Sequence, residues 1–232
     1  MSDSDLQELQ TTVHQRLGRF LLRVQRYELL LKALVIDSVT VGTVETAPLN
    51  KQKRQALFGN KTMGYLFDEI KDSYLRELGA PESEEADEPH LENGEPVFRS
   101  RMSMSMPAEE LKQTKARLDE FKDLRNRIVH HFLEDHDLAT QVGCELAIAR
   151  VDGALELAQI HYEELLQWAK TAVEASRRFV AFIESPEFEQ LQHGILPDGT
   201  VDWPNCTAVQ LLREQEQKTA PGEMTRLDTA VD

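Results

Sequence analysis

Two hundred and thirty-two residues suffice for one main hydrophobic core, because domains run to about 100–150 residues and single cores seldom pass about 250. Apolar residues make up 41% of the chain and charged residues 29%, ordinary proportions that exclude wholesale disorder and fibrous repeats. The net charge of −15 repels a phosphate polymer at long range and argues against a general nucleic-acid coating protein.

The N-terminus, Met1 to Asp5, is acidic and lacks the basic start and apolar middle of a secretory signal. Two widely separated cysteines, Cys144 and Cys206, fit a reducing compartment, and the expected location is the cytoplasm. From about Asp5 to Asp37, Leu6, Leu9, Val13, Leu17, Phe20, Leu21, Val24, Leu31 and Leu34 recur at steps of three and four, which predicts a long amphipathic first helix. Its longest apolar run, Leu29 to Ile36, is broken by Lys32 and falls far short of the ~18–20 residues a membrane span needs.

Ser38 to Pro48 is β-branched and ends in proline, so it reads as an extended loop. A short helix is expected over Asn50–Phe58. Another begins after Thr62 as N-cap, turns Leu66, Ile70 and Leu75 inward, and closes at Gly79. Between Gly79 and Pro96 lie seven acidic residues and no Lys or Arg, the pattern of an exposed loop. Phe98, Met102, Met104 and Met106 then alternate in part with polar residues, as in a short strand or extended arm. The methionines suit an adaptable docking surface or an arm packed on its own bundle.

Pro107 opens the next helix, with Glu109 and Glu110 in its first turn; it runs to about Leu133. A further proline-free stretch, Cys144 to Ile183, predicts a long last helix. The expected fold is all-α, an antiparallel helical bundle over 1–193 that carries the acidic loop and arm of 79–106. A connector, a short helix over Thr207–Gln217 and a loose tail follow in 194–232. From Arg99 to Arg127 the charge reverses, with eight basic residues against five acidic ones, so a local basic surface is compatible with an acidic chain.

The helix after Pro107 contains one local inconsistency. Its apolar stripe is Leu111, Leu118, Phe121, Leu124, Ile128 and Phe132, and at ~100° per residue Arg125 projects into the same arc. Desolvating a guanidinium is costly unless it is paired and hydrogen-bonded. Arg125 therefore extends to solvent along its stem, pairs with a buried carboxylate, or meets an anionic ligand. Five residues on stands His130, followed by His131. An imidazole moves protons near neutral pH, and a fixed arginine stabilises the extra charge of a phosphorane-like transition state. Together they are the minimum for metal-free phosphodiester cleavage, and RNA supplies its own nucleophile in the 2′-hydroxyl.

The run Arg125-Asn126-Arg127-Ile128-Val129-His130, set in an all-helical chain, resembles the HEPN superfamily, helical-bundle proteins whose ribonuclease members carry Arg, four to six residues, then His on a late helix. The resemblance implies a metal-independent endoribonuclease of toxin or antiviral type, with no cofactor. Its partners would be RNA as substrate, a second copy of the chain in a homodimer, and an antitoxin or other regulatory protein. Arg125 and His130 would be catalytic, with Asn126 and His131 in support; His131 also falls within the family spacing. The resemblance implies a composite site in which two chains converge; this would relax one objection, that on a straight helix His130 lies ~140° from Arg125 and His131 ~120° away on the other side. Phe132 stands where one toxin subgroup carries a tyrosine modified by a nucleotide-transferring antitoxin, a departure from that pattern.

Other readings compete. His130, His131, Glu134, Asp135, His136 and Asp137 are dense in metal-ligand types, although a solvated helix end explains them more simply. His161, Glu164 and His14 read as ordinary surface or satisfied core residues. Phosphate-loop, dinucleotide and nucleophile-elbow motifs are absent from the sequence. From a different class, a non-catalytic helical scaffold would use Arg125 in an interface salt bridge.

Overall fold

In a computed structural model of the chain, residues 3–43, 45–80, 91–92, 95–96 and 98–186 are described. The chain divides into two compact units, Met1–Ala172 and Val173–Asp232. The boundary expected at 193/194, the Thr207–Gln217 helix and most of the acidic loop lie outside the described residues.

Helix α1 spans Asp3–Asp37. Its seam is Val13, Leu17, Phe20, Val24, Tyr27, Leu31 and Leu34, alternating steps of four and three in the manner of a coiled-coil face. Leu21, expected on that face, is 37% exposed, and Tyr27 fills the seam instead. Side chains close the end of α1. The hydroxyl of Ser38 donates to the Val35 carbonyl at 2.8 Å. Arg54 donates to the same carbonyl through Nη2 at 2.8 Å and to that of Ile36 through Nε at 3.3 Å. Carbonyls that the helix cannot satisfy itself are thereby paired.

The expected loop after α1 holds a strand, β1, at Val39–Gly42, and α2 spans Ala47–Gly59, with Pro48 in its first turn rather than breaking it. A proline is tolerated there because the first N–H groups of a helix have no intrahelical acceptor. Gly42 has φ 134°, and a Cβ on it would lie 2.6 Å from Thr46 Oγ1, so only glycine admits this sharp entry to α2.

Thr62 caps α3, Met63–Glu69, accepting from the Tyr65 N–H at 3.4 Å. The helix widens into a π-turn over Ile70–Tyr74 and ends there, short of the expected Gly79. Leu75 is buried in a strand, β2, Leu75–Glu77. Strands β3 (Leu91–Glu92) and β4 (Glu95–Pro96) pair with each other, and β5 (Phe98–Arg101) pairs antiparallel with β1, setting Val39 opposite Arg101. Strand β6, Met104–Met106, pairs in parallel with β2, Leu75 opposite Met104. The partner of β2 is thus distant in sequence, which local periodicity cannot register. Met106 is buried and Met102 and Met104 pack on the core, so the methionine arm lies on its own bundle.

Helix α4 covers Ala108–His130, with Pro107 immediately before it. A bend at His131 leads into the short α5, Phe132–Asp135, so the helix expected to reach Leu133 is broken. Helix α6 spans Gln141–Ile183. Its buried residues Cys144, Ala147, Val151, Ala154, Ala158, His161, Leu165, Trp168 and Ala172 again alternate steps of three and four. Four of these are alanine or cysteine in the first half, which lets neighbouring helices approach closely.

Arg16 pairs with Asp152 at 3.3 Å and the Arg23 guanidinium lies 5.4 Å over the Tyr162 ring, so α1 and α6 run in the same direction. Arg117 reaches Glu164 at 2.6 Å while Phe121 stacks on His161, so α4 runs opposite to α6. The fold is a helical bundle whose long first and last helices pack together, with α4 running antiparallel to both. At its centre Tyr27, Phe67 and Phe121 lie within 5.1–6.3 Å of one another, ring centroid to centroid. No helix among the described residues is long and apolar enough to cross a membrane. Of the second unit, the described part is the last turns of α6, where Val173, Phe179 and Val180 are exposed.

Candidate functional site

The buried positions of α4 are Thr114, Leu118, Phe121 and Ile128, followed by Phe132 beyond the bend. They step by four and three, and the one place left vacant in the series is 125. Arg125 therefore occupies a seam position that an apolar side chain would ordinarily fill.

Arg125 is half-buried. Its Nε is enclosed and has no hydrogen-bond partner, one of two such atoms among the described residues. No carboxylate lies within ion-pair distance of it among them. Nη1 donates to Asn126 Oδ1 at 2.9 Å and lies 3.4 Å from His130 Nε2. Arginine has only donors, so Nε2 can serve only as the acceptor in this contact. The angular separation expected on a straight helix thus does not keep the two groups apart within one chain. His130 is the last residue of α4, and the long arginine side chain folds back along the helix surface to meet it.

The histidines take different places. His130 is exposed and faces Arg125. His131 caps α4 with φ −123° and donates its N–H to the Arg127 carbonyl; its Nδ1 lies 2.9 Å from Glu134 Oε2. Asn126 is placed to hold the guanidinium. Across the bend, Arg127 forms a two-pronged bond to Asp135, Nε to Oδ2 at 2.7 Å and Nη2 to Oδ1 at 2.9 Å. Hydrogen bonding to Arg127 holds the Asp135 carboxyl below its usual range and raises Arg127 in return. This fork ties α4 to α5 across the bend that follows His130, and sequence spacing gave no hint of it.

The cluster considered for a metal is dispersed into these contacts. Glu134 serves His131, Asp135 serves Arg127, and His136 packs on Phe132 with ring centroids 4.9 Å apart. Among the described residues no group of three or more His, Cys, Asp or Glu side chains is arranged to hold a metal ion.

His161 departs from the expected satisfied core residue. It is 3% exposed, stacks on Phe121 at 4.5 Å and 18°, and its Nδ1 is enclosed without a hydrogen-bond partner. Glu164 Oε2 stands 3.9 Å away, but its carboxylate is engaged by Arg117. Burial lowers the imidazole's proton affinity and Glu164 opposes it. The position is 3% exposed because 161 belongs to the α6 seam, a signal present in the step pattern of the sequence.

Comparison with protein-family models, curated proteins and solved structures gave no match to this chain. The likeness to HEPN ribonucleases rests on the Arg125–His130 motif and its helical setting.

Proposed function

We propose that the chain is a metal-independent endoribonuclease of the HEPN type, acting in the cytoplasm as a toxin or antiviral-defence nuclease through a site shared by two copies. One observation carries this reading. A guanidinium sits in the helical seam without a carboxylate partner among the described residues and meets the exposed imidazole of His130 at 3.4 Å. A half-buried guanidinium with an enclosed Nε and no counter-ion is suited to take an anion.

The chemistry follows from these groups. His130, neutral at Nε2, takes the proton of the ribose 2′-hydroxyl as its oxygen attacks the adjacent phosphorus. Arg125 donates to the phosphoryl oxygens as their charge grows. The bond to the 5′-oxygen breaks, and that oxygen takes a proton from an imidazolium, which a two-copy site supplies in duplicate. The products are a 2′,3′-cyclic phosphate and a 5′-hydroxyl. Exposed Val142, Leu146 and Ile160 on α6 offer apolar surface for the second copy. An antitoxin or other regulatory protein would restrain the activity in the cell.

The test is cleavage of RNA in the presence of a chelator, with cyclic-phosphate ends, lost in Arg125→Ala and in His130→Ala; undiminished activity in both variants removes the mechanism. Expression of the unaltered chain should arrest growth, and the two variants should not. The same apolar face of α6 favours a scaffold as the second reading, in which no RNA is cleaved and a partner protein is held instead.

A further inference from the structure

From Thr46 to Phe67 the chain has four Lys or Arg residues and no Asp or Glu, and from Pro96 to Ala108 it has Arg99 and Arg101 and again no acid. Such stretches are conspicuous in a chain with 41 acidic residues. The fold brings the two together. Helix α2 docks on β1 through Asn50 Nδ2, which donates to the Val41 carbonyl at 3.0 Å, and β1 carries β5 on its edge, Arg101 opposite Val39 and Arg99 opposite Val41. Arg101 lies near enough to Arg54 to lower its proton affinity, after the larger effect of burial and against the opposing pull of Glu69.

From α2 into the start of α3 the cations alternate with rings. Arg54 lies 5.0 Å over the Phe58 ring, Phe58 is 6.3 Å from Tyr65, and Lys61 Nζ is 4.5 Å over the Tyr65 ring, which is 42% exposed. The nearby acids are already engaged. Asp37 pairs with Lys51, Asp68 with Lys71, Glu69 accepts from Ser73 and Glu45 from Thr43. Among the described residues Lys53, Lys61 and Arg101 meet no carboxylate within ion-pair distance.

We propose that Lys53, Lys61 and Arg101, with the exposed ring of Tyr65, form a track for single-stranded RNA from the β5 edge along α2 to the start of α3. The proposal rests on the ribonuclease reading and specifies how its substrate is held away from the Arg125–His130 pair. Spaced cations bind the phosphates, and a ring with one open face stacks a base regardless of its identity. Duplex RNA would present no unstacked base to Tyr65.

The test uses the full chain carrying Arg125→Ala, so that RNA is bound without being cut, and a labelled single-stranded RNA followed by fluorescence anisotropy over a salt series. Replacing Lys53, Lys61 and Arg101 together by glutamine should flatten the slope of log affinity against log salt by about 2. Tyr65→Ala should weaken binding about tenfold at unchanged slope, with Tyr65→Phe restoring it. Lys53→Arg should bind as the parent does. Lys53, Tyr65 and Arg101 are exposed and Lys61 is half-buried, and far-UV circular dichroism checks that each variant is folded. Absence of RNA binding by the parent, equal binding by the triple variant, or binding to phosphatidylserine vesicles in place of RNA overturns the track. Cleavage is assayed separately on the unaltered chain. No cleavage with track-dependent binding removes the nuclease reading alone, and cleavage with track-independent binding removes the track alone.

Discussion

Phe121 and His161 lie face to face, 4.5 Å apart and 18° from parallel, one on α4 and the other on α6, and this stack closes the centre of the bundle. The arrangement fills the seam but leaves His161 Nδ1 without a partner, so a polar atom is enclosed where an apolar one would serve. Burying a polar group unpaired costs about 1–3 kcal/mol.

His161→Phe should therefore raise the urea midpoint, by the equivalent of about 1 kcal/mol. The same residue makes stability depend on pH. Its imidazole protonates less readily in the fold than in the unfolded chain, so below an unfolded value of about 6.5 the unfolded state binds the extra proton. Stability contributed by the neutral ring is complete above that value and falls as pH drops toward the lower folded value. Urea titrations from pH 7.5 to pH 5 should show this decline, and it should be smaller in His161→Phe. An identical decline in both proteins assigns it to other groups.

Arg125→Met separates catalysis from scaffolding. Methionine keeps the length and volume of the stem in the α4 seam while removing an unpaired charge, a change that is commonly neutral or stabilising. The variant should unfold at the same temperature as the parent or higher, and cleave no RNA. A marked fall in thermal stability would instead mean that the guanidinium holds the structure together.

The fork between Arg127 and Asp135 spans the bend that follows His130. Asp135→Asn removes one charge and part of the fork on an exposed surface, so the melting temperature should hardly move. Cleavage should fall about tenfold through kcat, because small misplacements of a reacting group cost that much or more. An unchanged kcat would show that the bend keeps its angle without the fork.

Gly143 sits against the turn that joins α5 to α6. A Cβ there would lie 1.9 Å from the Asp137 carbonyl oxygen and 2.9 Å from Thr140 Oγ1, and the first of these is backbone that cannot swing aside. Gly143→Ala should destabilise the chain by about 2–3 kcal/mol in urea unfolding. Gly153→Ala on the same helix, with nothing within 4 Å of the added carbon, should be neutral or slightly stabilising.

Periodicity in the sequence was enough to determine the long helices, because α1, α4 and α6 carry seams whose steps of three and four repeat for many turns, and such a signal needs no knowledge of neighbours. It also determined that Arg125 points into the apolar arc of α4, since direction around a helix is local geometry. The short elements were decided by the tertiary structure. Leu75 leaves its helix because β6, about thirty residues away, offers a ladder, and the stretch after α1 becomes β1 because β5 pairs with it. The meeting of Arg125 with His130 was likewise outside the reach of helix angles. It depends on where α4 stops and on a long side chain crossing an arc that Cβ directions alone place out of range.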